Sequence, residues 1–224
     1  MKTNTFLTEA LLALQQEGTL LYPTDTIWGI GGDARSTAVV EKVYALKQRA
    51  DSKALICLVA NQSMLEAYVG KIHPSLLPYL EGERPTTVIY PIVKGISKRL
   101  CAADGSVGMR IAKDDFCREL IEALGAPLIS TSANISGQAS PGSFDEVAVE
   151  IKEGVDHIVA YRQAEKQSTA SRIIRLSQNN KIEAEWLVQT KTISRVVKCL
   201  SLCRIHRTMS KTQSLLQSVL EWKM

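Results

Sequence analysis

Residues 126–137 carry the pattern that decides the fold: they read Ala-Pro-Leu-Ile-Ser-Thr-Ser-Ala-Asn-Ile-Ser-Gly. The apolar start predicts a buried strand, and the residues after it have small hydroxyl or amide side chains. Open α/β sheets bind ligands beyond the carboxyl ends of their strands, and such a run offers hydroxyls and uncrowded N–H groups to an anion or a nucleotide. We call residues 130–137 the hydroxyl loop. An ordinary Ser/Asn/Gly turn explains the same residues equally well.

A second polar segment, residues 22–29, reads Tyr-Pro-Thr-Asp-Thr-Ile-Trp-Gly. Three cations follow further along the chain, near the end of a predicted helix: Lys47, Arg49 and Lys53. Positive charge of this kind suits chemistry at phosphates. The alternative is a solvated helix end, where cations interact favourably with the helix dipole.

Helical and strand patterns alternate along the chain. Ser36 can cap a helix with a buried stripe of valines, and Gly18 and Gly125 are placed to end two other helices. This alternation predicts an α/β fold, a twisted mixed open sheet flanked by helices in a single domain. The predicted helices lie before residue 18 and at residues 36–47, 63–69, 114–124 and 143–153; the predicted strands lie at 19–22, 54–59, 87–90, 107–111, 128–130, 157–161, 171–176 and 182–188.

The composition excludes several classes of protein. The chain has 224 residues and 45% hydrophobic content, enough for a sizeable core. It has no run near the roughly 18 apolar residues of a membrane span, and acidic residues interrupt the first helical pattern, unlike a signal peptide. We expect a cytoplasmic protein with free thiols and no membrane partner. No metal site is predicted, because Cys199, Cys203 and His206 lack an evident fourth ligand.

The net charge of +4 is unevenly distributed. Residues 189–224 carry seven Lys or Arg residues and one Glu, a net charge of +6. We expect a catalytic domain at residues 1–188 and a basic tail at residues 189–224 that forms two short helices or is poorly ordered. The tail could bind RNA phosphates, or it could be a solvated extension.

Other signatures of catalysis are missing from the sequence. Residues 29–33 are glycine-rich but lack the third glycine of a dinucleotide fingerprint, and no P-loop pattern occurs. None of the three histidines stands beside a motif, which argues against a Ser-His-Asp or Cys-His mechanism. The charges in the motifs are mostly cationic, as chemistry at phosphates requires.

Five ordered blocks resemble the YrdC/Sua5 family, the threonylcarbamoyl-adenylate synthases of tRNA modification. They are the loop at residues 22–26, the cations at 47–53, Val107-Gly108-Met109-Arg110, the hydroxyl loop, and Ser171-Arg172-Ile173-Ile174. The resemblance covers roughly residues 7–182 and implies a YrdC-like fold. It also implies a nucleotidyltransferase that converts L-threonine, bicarbonate or CO₂, and ATP to L-threonylcarbamoyl-AMP and pyrophosphate. The product would serve the modification of a tRNA adenosine next to the anticodon.

The resemblance also implies roles for individual residues. Threonine would be bound by Thr26, Arg110 and Ser171, although Ser168 and Thr169 offer a competing register for the last of these. ATP, carried with Mg²⁺, would be held by Lys47, Arg49, Lys53, Ser106, Ser130, Ser132, Asn134 and Ser140, of which the three cations would be catalytic. The implied partners include tRNA or double-stranded RNA and the proteins that transfer the threonylcarbamoyl group onward.

The sequence departs from the family in ways that keep alternatives open. The arginine that commonly closes the nucleotide site after the last strand is missing, because residues 186–190 read Trp-Leu-Val-Gln-Thr. One alternative is a carbamoyl-adenylate-forming relative, like a domain of hydrogenase-maturation carbamoyltransferases. The other is an RNA-binding protein of the YciO type without adenylate chemistry.

Overall fold

The computed structural model describes residues 2–48, 55–166, 171–179, 181–189 and 192–195, with side chains described for residues 5–48, 55–166, 171–179 and 181–185. Arg49, Lys53, Ser168, Thr169 and most of the predicted tail lie outside these ranges. The helices are α1 (Lys2–Gln15), α2 (Thr37–Leu46), α3 (Gln62–Val69), α4 (Leu77–Glu81), α5 (Asp115–Leu124) and α6 (Val149–Gly154). The strands are β1 (Leu20–Tyr22), β2 (Gly29–Gly31), β3 (Ile56–Val59), β4 (Thr86–Tyr90), β5 (Val107–Ile111), β6 (Leu128–Ser132), β7 (His157–Ile158), β8 (Arg172–Leu176), β9 (Ile182–Gln189) and β10 (Thr192–Arg195).

These strands form one mixed sheet in the order β10-β9-β8-β4-β5-β3-β6-β2-β1-β7. The pairs β3–β5, β4–β8 and β1–β7 are parallel, and the other neighbours are antiparallel. The predicted mixed open sheet flanked by helices is therefore confirmed. Among the helices of the described residues, none is long and apolar enough to span a membrane.

Helices pack on both faces of the sheet, and the central strand β3 shows how its side chains divide between them. Leu58 packs in a cluster with residues of α1 and α5. Its neighbours Cys57 and Val59 pack in a second cluster with residues of α2 and α3. The alternation follows from the two-residue period of a strand. The polar side chains of the candidate site lie on the Leu58 face.

Local capping explains where the helices begin and end. Ser36 caps α2 by accepting a hydrogen bond from the N–H of Val39, and Asp114 caps α5 in the same way. Gly125 ends α5 in the left-handed conformation, as predicted. The end of α1 differs, because Glu17 and not Gly18 has the positive φ of 56°. Gly18 is needed there for close approach, since a Cβ on it would lie 2.7 Å from the carbonyl oxygen of Ala13.

Four elements differ from the prediction, of which the short helix α4 has no predicted counterpart. The glycine-rich residues 29–31 form strand β2 between β1 and β6. The helix expected at residues 143–153 begins only at Val149, because Phe144 and Val147 are joined by a turn and Phe144 packs against the Trp28 ring. Residues 192–195 form β10, paired with β9, where helical spacing placed part of the basic tail. Their alternating sequence fits a strand as well as a helix, and pairing with β9 decides between them.

Candidate active site

Polar strand residues share the Leu58 face of the sheet. Paired residues in neighbouring strands point to the same side, and side chains alternate along each strand. Arg110 in β5 pairs with Thr87 in β4 on one side and with Leu58 on the other. In β6, Leu128 pairs with Leu58, and Ser130 and Ser132 lie two and four residues further along the strand, so their side chains point to the same side as Leu128. The sheet register therefore brings together residues that lie far apart in the chain.

Ser171 joins this group from the residue before β8. Its hydroxyl oxygen lies 3.1 Å from that of Thr87, and both side chains are buried. Since Thr87 pairs with Arg110, the sheet register brings Ser171 and Arg110 to the same face. Thr87 was not among the predicted site residues.

The loop at residues 23–28 lies against the same face. The Thr24 hydroxyl donates to the carbonyl of Ile27 at 2.8 Å and accepts the N–H of Thr26 at 3.0 Å. The hydroxyls of Thr24 and Thr26 are 2.9 Å apart. Because the proton of Thr24 is directed to Ile27, Thr26 is the donor between them, and its oxygen keeps lone pairs for a further N–H. We call Thr26, Thr87, Arg110 and Ser171 the strand cluster.

Arg110 is paired with a carboxylate to which the sequence had given no role. Its Nη2 lies 3.0 Å from Oδ1 of Asp25, and the two side chains are only 3% and 8% exposed. The other Asp25 oxygen accepts the N–H of Lys113 at 3.1 Å. The sequence signal was present, since Asp25 stands next to Thr26 in the Pro-Thr-Asp-Thr segment. The sequence alone could not show that Asp25 pairs with Arg110, which lies 85 positions further along the chain.

Lys47 lies beneath the hydroxyl loop. The side chain is 1% exposed, and its Nζ donates to the carbonyl oxygens of Ser132 at 2.5 Å and Asn134 at 2.7 Å. The backbone carbonyl of Lys47 accepts the N–H of Ser136 at 2.9 Å. The ammonium group thus ties the end of α2 to the loop. The alternative of a solvated helix end is wrong for Lys47.

The side chain of Asn134 is used inside the hydroxyl loop. Its Nδ2 donates to the carbonyls of Ile135 at 3.0 Å and Gln138 at 2.8 Å, while its Oδ1 contacts the Ser132 hydroxyl. These bonds shape the loop, and Ser140 is exposed just after it. The loop therefore presents backbone and hydroxyl groups in a conformation set by its own amide and by Lys47.

Ser106 lies just before β5 and is buried against Asp104, to which its hydroxyl donates at 2.6 Å. Partial burial acts to raise the pKa of Asp104, but the hydrogen bonds from Ser106 and Arg175 lower it below its ordinary value. The structure thus gives the Ser106 hydroxyl a carboxylate partner, and Asp104 remains charged at neutral pH.

The structure places Arg110 and Ser171 on the Leu58 face, with Thr26 next to the Asp25 that pairs with Arg110. Ser130 and Ser132 of the hydroxyl loop lie on the same face, in β6. Among the described residues, no three His, Cys, Asp or Glu side chains are grouped to hold a metal ion. A depression of about 340 Å³ lies elsewhere, lined by Ala60, Asn61, Asp115, Arg118, Glu119 and Glu122. It contains none of the predicted site residues, so we place the site on the sheet face.

Comparison with known proteins finds a matching family model, similar sequences and similar structures. The Sua5/YciO/YrdC family model, described as telomere recombination, matches residues 12–184. A threonylcarbamoyl-AMP synthase from Idiomarina loihiensis is 34% identical over 157 residues, which cover 67% of this chain and 83% of the relative. The structure of P. abyssi Sua5 complexed with L-threonine superposes with a TM-score of 0.68 at 23% identity, covering 76% of this chain and 50% of that one. E. coli YciO gives a TM-score of 0.69 at 21% identity, covering 86% and 91%. At these identities the two structures show the fold alone.

Proposed function

The chain belongs to the Sua5/YciO/YrdC family, and we propose that it is a threonylcarbamoyl-AMP synthase. The observation that carries this proposal is the strand cluster: a buried guanidinium, a hydroxyl acceptor and a hydroxyl pair on one sheet face, beside the hydroxyl loop. The P. abyssi structure contains L-threonine. In this chain, the strand cluster has the chemistry to bind that amino acid.

The amino-acid substrate meets three kinds of group. The Arg110 guanidinium suits its carboxylate, because the planar fork can donate two parallel hydrogen bonds. The Thr26 oxygen has lone pairs for the amine. Ser171, bonded to Thr87, closes the side of the substrate. Bicarbonate or CO₂ would react with the amine held in this way.

The nucleotide would lie along the hydroxyl loop. Ser130, Ser132 and Asn134 line the β6 end of this region, and the predicted contacts from Ser106 and Ser140 lie before β5 and after the loop. ATP enters as its Mg²⁺ complex, so Mg²⁺ is part of the substrate. Arg49 and Lys53 are proposed to face the phosphates. Lys47 would have to leave the carbonyls of Ser132 and Asn134 to do so.

The chemistry needs orientation more than a protein nucleophile. The amine of threonine adds to CO₂, and an oxygen of the resulting carbamate attacks the α-phosphorus as pyrophosphate leaves. The protein contributes by holding the two substrates in line and by placing positive charge where the phosphate charge builds up. Since Arg110 and Thr26 hold the amino acid and the loop holds the nucleotide, the arrangement suits this step. The product is a reactive mixed anhydride, which the proteins of tRNA modification would consume.

An RNA-binding protein without adenylate chemistry is the second candidate. The length of the matched region raises it, because the chain spans 91% of E. coli YciO and half of the P. abyssi Sua5 chain. Both likenesses lie below 25% identity, so they do not separate the two functions. The relative at 34% identity is named for the synthase activity, and we prefer that function.

The experiment is incubation of the purified protein with ATP, Mg²⁺, bicarbonate and L-threonine. We expect pyrophosphate release that requires both threonine and bicarbonate, and the adenylate in the mass spectrum. Omitting each substrate in turn provides the controls, and carbamoyl phosphate tests the carbamoyl-adenylate alternative. Pyrophosphate release that is independent of threonine would exclude the synthase.

A further inference from the structure

Asp25 is a buried carboxylate that the proposed chemistry leaves without a role. One oxygen faces Nη2 of Arg110 at 3.0 Å, and the other accepts the N–H of Lys113 at 3.1 Å. Lys113 is itself fastened, because its Nζ donates to the carbonyl of Leu80 at 2.7 Å. Asp25 is therefore held by the backbone at one oxygen while its other oxygen meets the guanidinium.

Stability is a weak reason for such a pair. Removing two charges from water costs about as much as their attraction returns, so a buried ion pair often contributes little to the free energy of folding. The surroundings are shielded from water: burial raises the pKa of the Tyr22 hydroxyl and of the Cys117 thiol, and the Asp114 and Asp25 carboxylates raise that of Cys117 further. A low local dielectric makes the orientation of the pair well defined. Geometry is therefore the better explanation for it.

Arg110 still has donors to spare. A guanidinium carries five N–H bonds, and Asp25 lies at ion-pair distance from Nη2 alone, with no hydrogen bond to its Oδ1 among the described residues. The Nε of Arg110 is buried and has no hydrogen-bond partner among the described residues. A carboxylate that entered beside Thr26 could satisfy it. The Arg110 guanidinium is thus held by Asp25 on one side and still has N–H donors for a ligand.

We propose that Asp25 is a positioning residue, which holds the Arg110 guanidinium in the orientation that receives the carboxylate of the amino-acid substrate. This inference rests on the proposed function. Asp25 would not touch the substrate but would act through Arg110. The site would thus include Asp25, a carboxylate with the same negative charge as the substrate carboxylate that Arg110 binds.

Asp25→Asn tests the inference, because an effect of charge alone and an effect on the position of Arg110 would change threonine affinity in opposite directions. Removing the negative charge leaves the site more positive, so a purely electrostatic effect would tighten threonine binding. An asparagine replaces one of the two carboxylate oxygens by an NH₂ group, so either the Lys113 N–H or the Arg110 guanidinium would face a donor instead of an acceptor. We expect at least a tenfold weaker threonine affinity by calorimetry, with the KM for ATP changed less than twofold.

Asp33→Asn is the matched control. Asp33 also pairs with an arginine, Arg35, and also accepts a backbone N–H, but it lies outside the strand cluster. We expect wild-type threonine affinity for this variant. Asp25→Glu is the second variant, since it keeps the buried charge and so protects against unfolding. Its shifted carboxylate should still weaken threonine binding.

A double variant shows whether Asp25 acts through Arg110. In an Arg110→Lys background, Asp25→Asn should change threonine affinity less than twofold, because the guanidinium to be positioned is gone. Unchanged or tighter threonine binding in folded Asp25 variants would overturn the inference, as would a full tenfold loss in the Arg110→Lys background. The wild-type protein is assayed before any variant. If it shows no threonine-dependent pyrophosphate release, the proposed function itself is refuted, and this outcome is distinct from a failure of the Asp25 inference.

Discussion

The two sides of the candidate site are stabilised in different ways. In the strand cluster, Arg110 and Thr87 lie on paired strands, Thr87 contacts Ser171, and Arg110 pairs with Asp25 of the loop that carries Thr26. The hydroxyl loop is held from below by one ammonium group, that of Lys47, and by the amide of Asn134. A substitution in the strand cluster should therefore change affinity for one substrate. A substitution under the loop should change stability and rate together.

The largest effect is expected from Arg110→Lys. Lysine keeps the charge but cannot form two parallel hydrogen bonds with a carboxylate. We expect kcat/KM for threonine to fall about 100-fold, equivalent to about 2.7 kcal/mol of transition-state stabilisation. The KM for ATP should change little, as measured by pyrophosphate release.

Arg118→Lys is the control for this change. Arg118 also pairs with an aspartate, Asp115, but on the exposed surface of α5, where such pairs contribute little. Its kinetics should match those of the wild type. Equal losses for both substrates in Arg110→Lys would contradict a threonine-specific role for the strand cluster.

The next largest effect is expected from Lys47→Met. The variant leaves the Ser132 and Asn134 carbonyls without their buried donor, which costs about 1–3 kcal/mol of folding stability. We expect turnover to fall at least tenfold, about 1.4 kcal/mol in the barrier, and the melting temperature to fall with it. The measurements are steady-state kinetics and thermal unfolding.

Lys42→Met on the same helix provides the comparison, since Lys42 is about half exposed. Lys42→Met should leave turnover and melting temperature near wild type.

Arg49→Ala should lower turnover at least tenfold. If Lys47→Met slows turnover with no loss of stability, the lysine acts on the phosphates directly and the difference between the two sides of the site disappears.

A smaller effect is expected from Ser171→Ala. The variant removes one hydroxyl of a buried pair, and a neutral hydrogen bond contributes about 1 kcal/mol. We expect the KM for threonine to rise about threefold to tenfold. Ser168→Ala tests the competing register, and a larger rise in that variant would transfer the threonine contact from Ser171 to Ser168.

The smallest effect is expected from truncation after Thr190. The strand cluster and the hydroxyl loop lie before this residue, so adenylate formation should persist at nearly the wild-type rate. RNA association, if present, should weaken and lose its dependence on salt, because the removed segment carries the +6 charge.

Truncation after Arg195 keeps β10 and serves as the control for the exposed edge of β9. If the 1–190 chain loses activity, Lys191→Ala and Arg195→Ala in the active 1–195 chain separate the side chains from the strand, and loss of activity in either variant would assign a site role to that residue. Such a residue would then stand in for the missing arginine.

Local patterns in the sequence determined much of this protein. The α/β alternation, the cap at Ser36 and the ending of α5 at Gly125 each depend on a few neighbouring residues, and each is found in the structure. The ordered motifs were sufficient to indicate the family. They also named the residues that the sheet brings to one face, including Arg110 and Ser130.

Only the tertiary structure decided what the charged side chains contact. Lys47 meets Ser132 and Asn134, and Asp25 meets Arg110, through contacts between segments far apart in the chain. Strand register and helix packing set these distances, whereas a local pattern shows only that a lysine follows a helix or an aspartate follows a threonine. The same reason explains β10, whose residues fit a helix or a strand until β9 supplies hydrogen-bond partners.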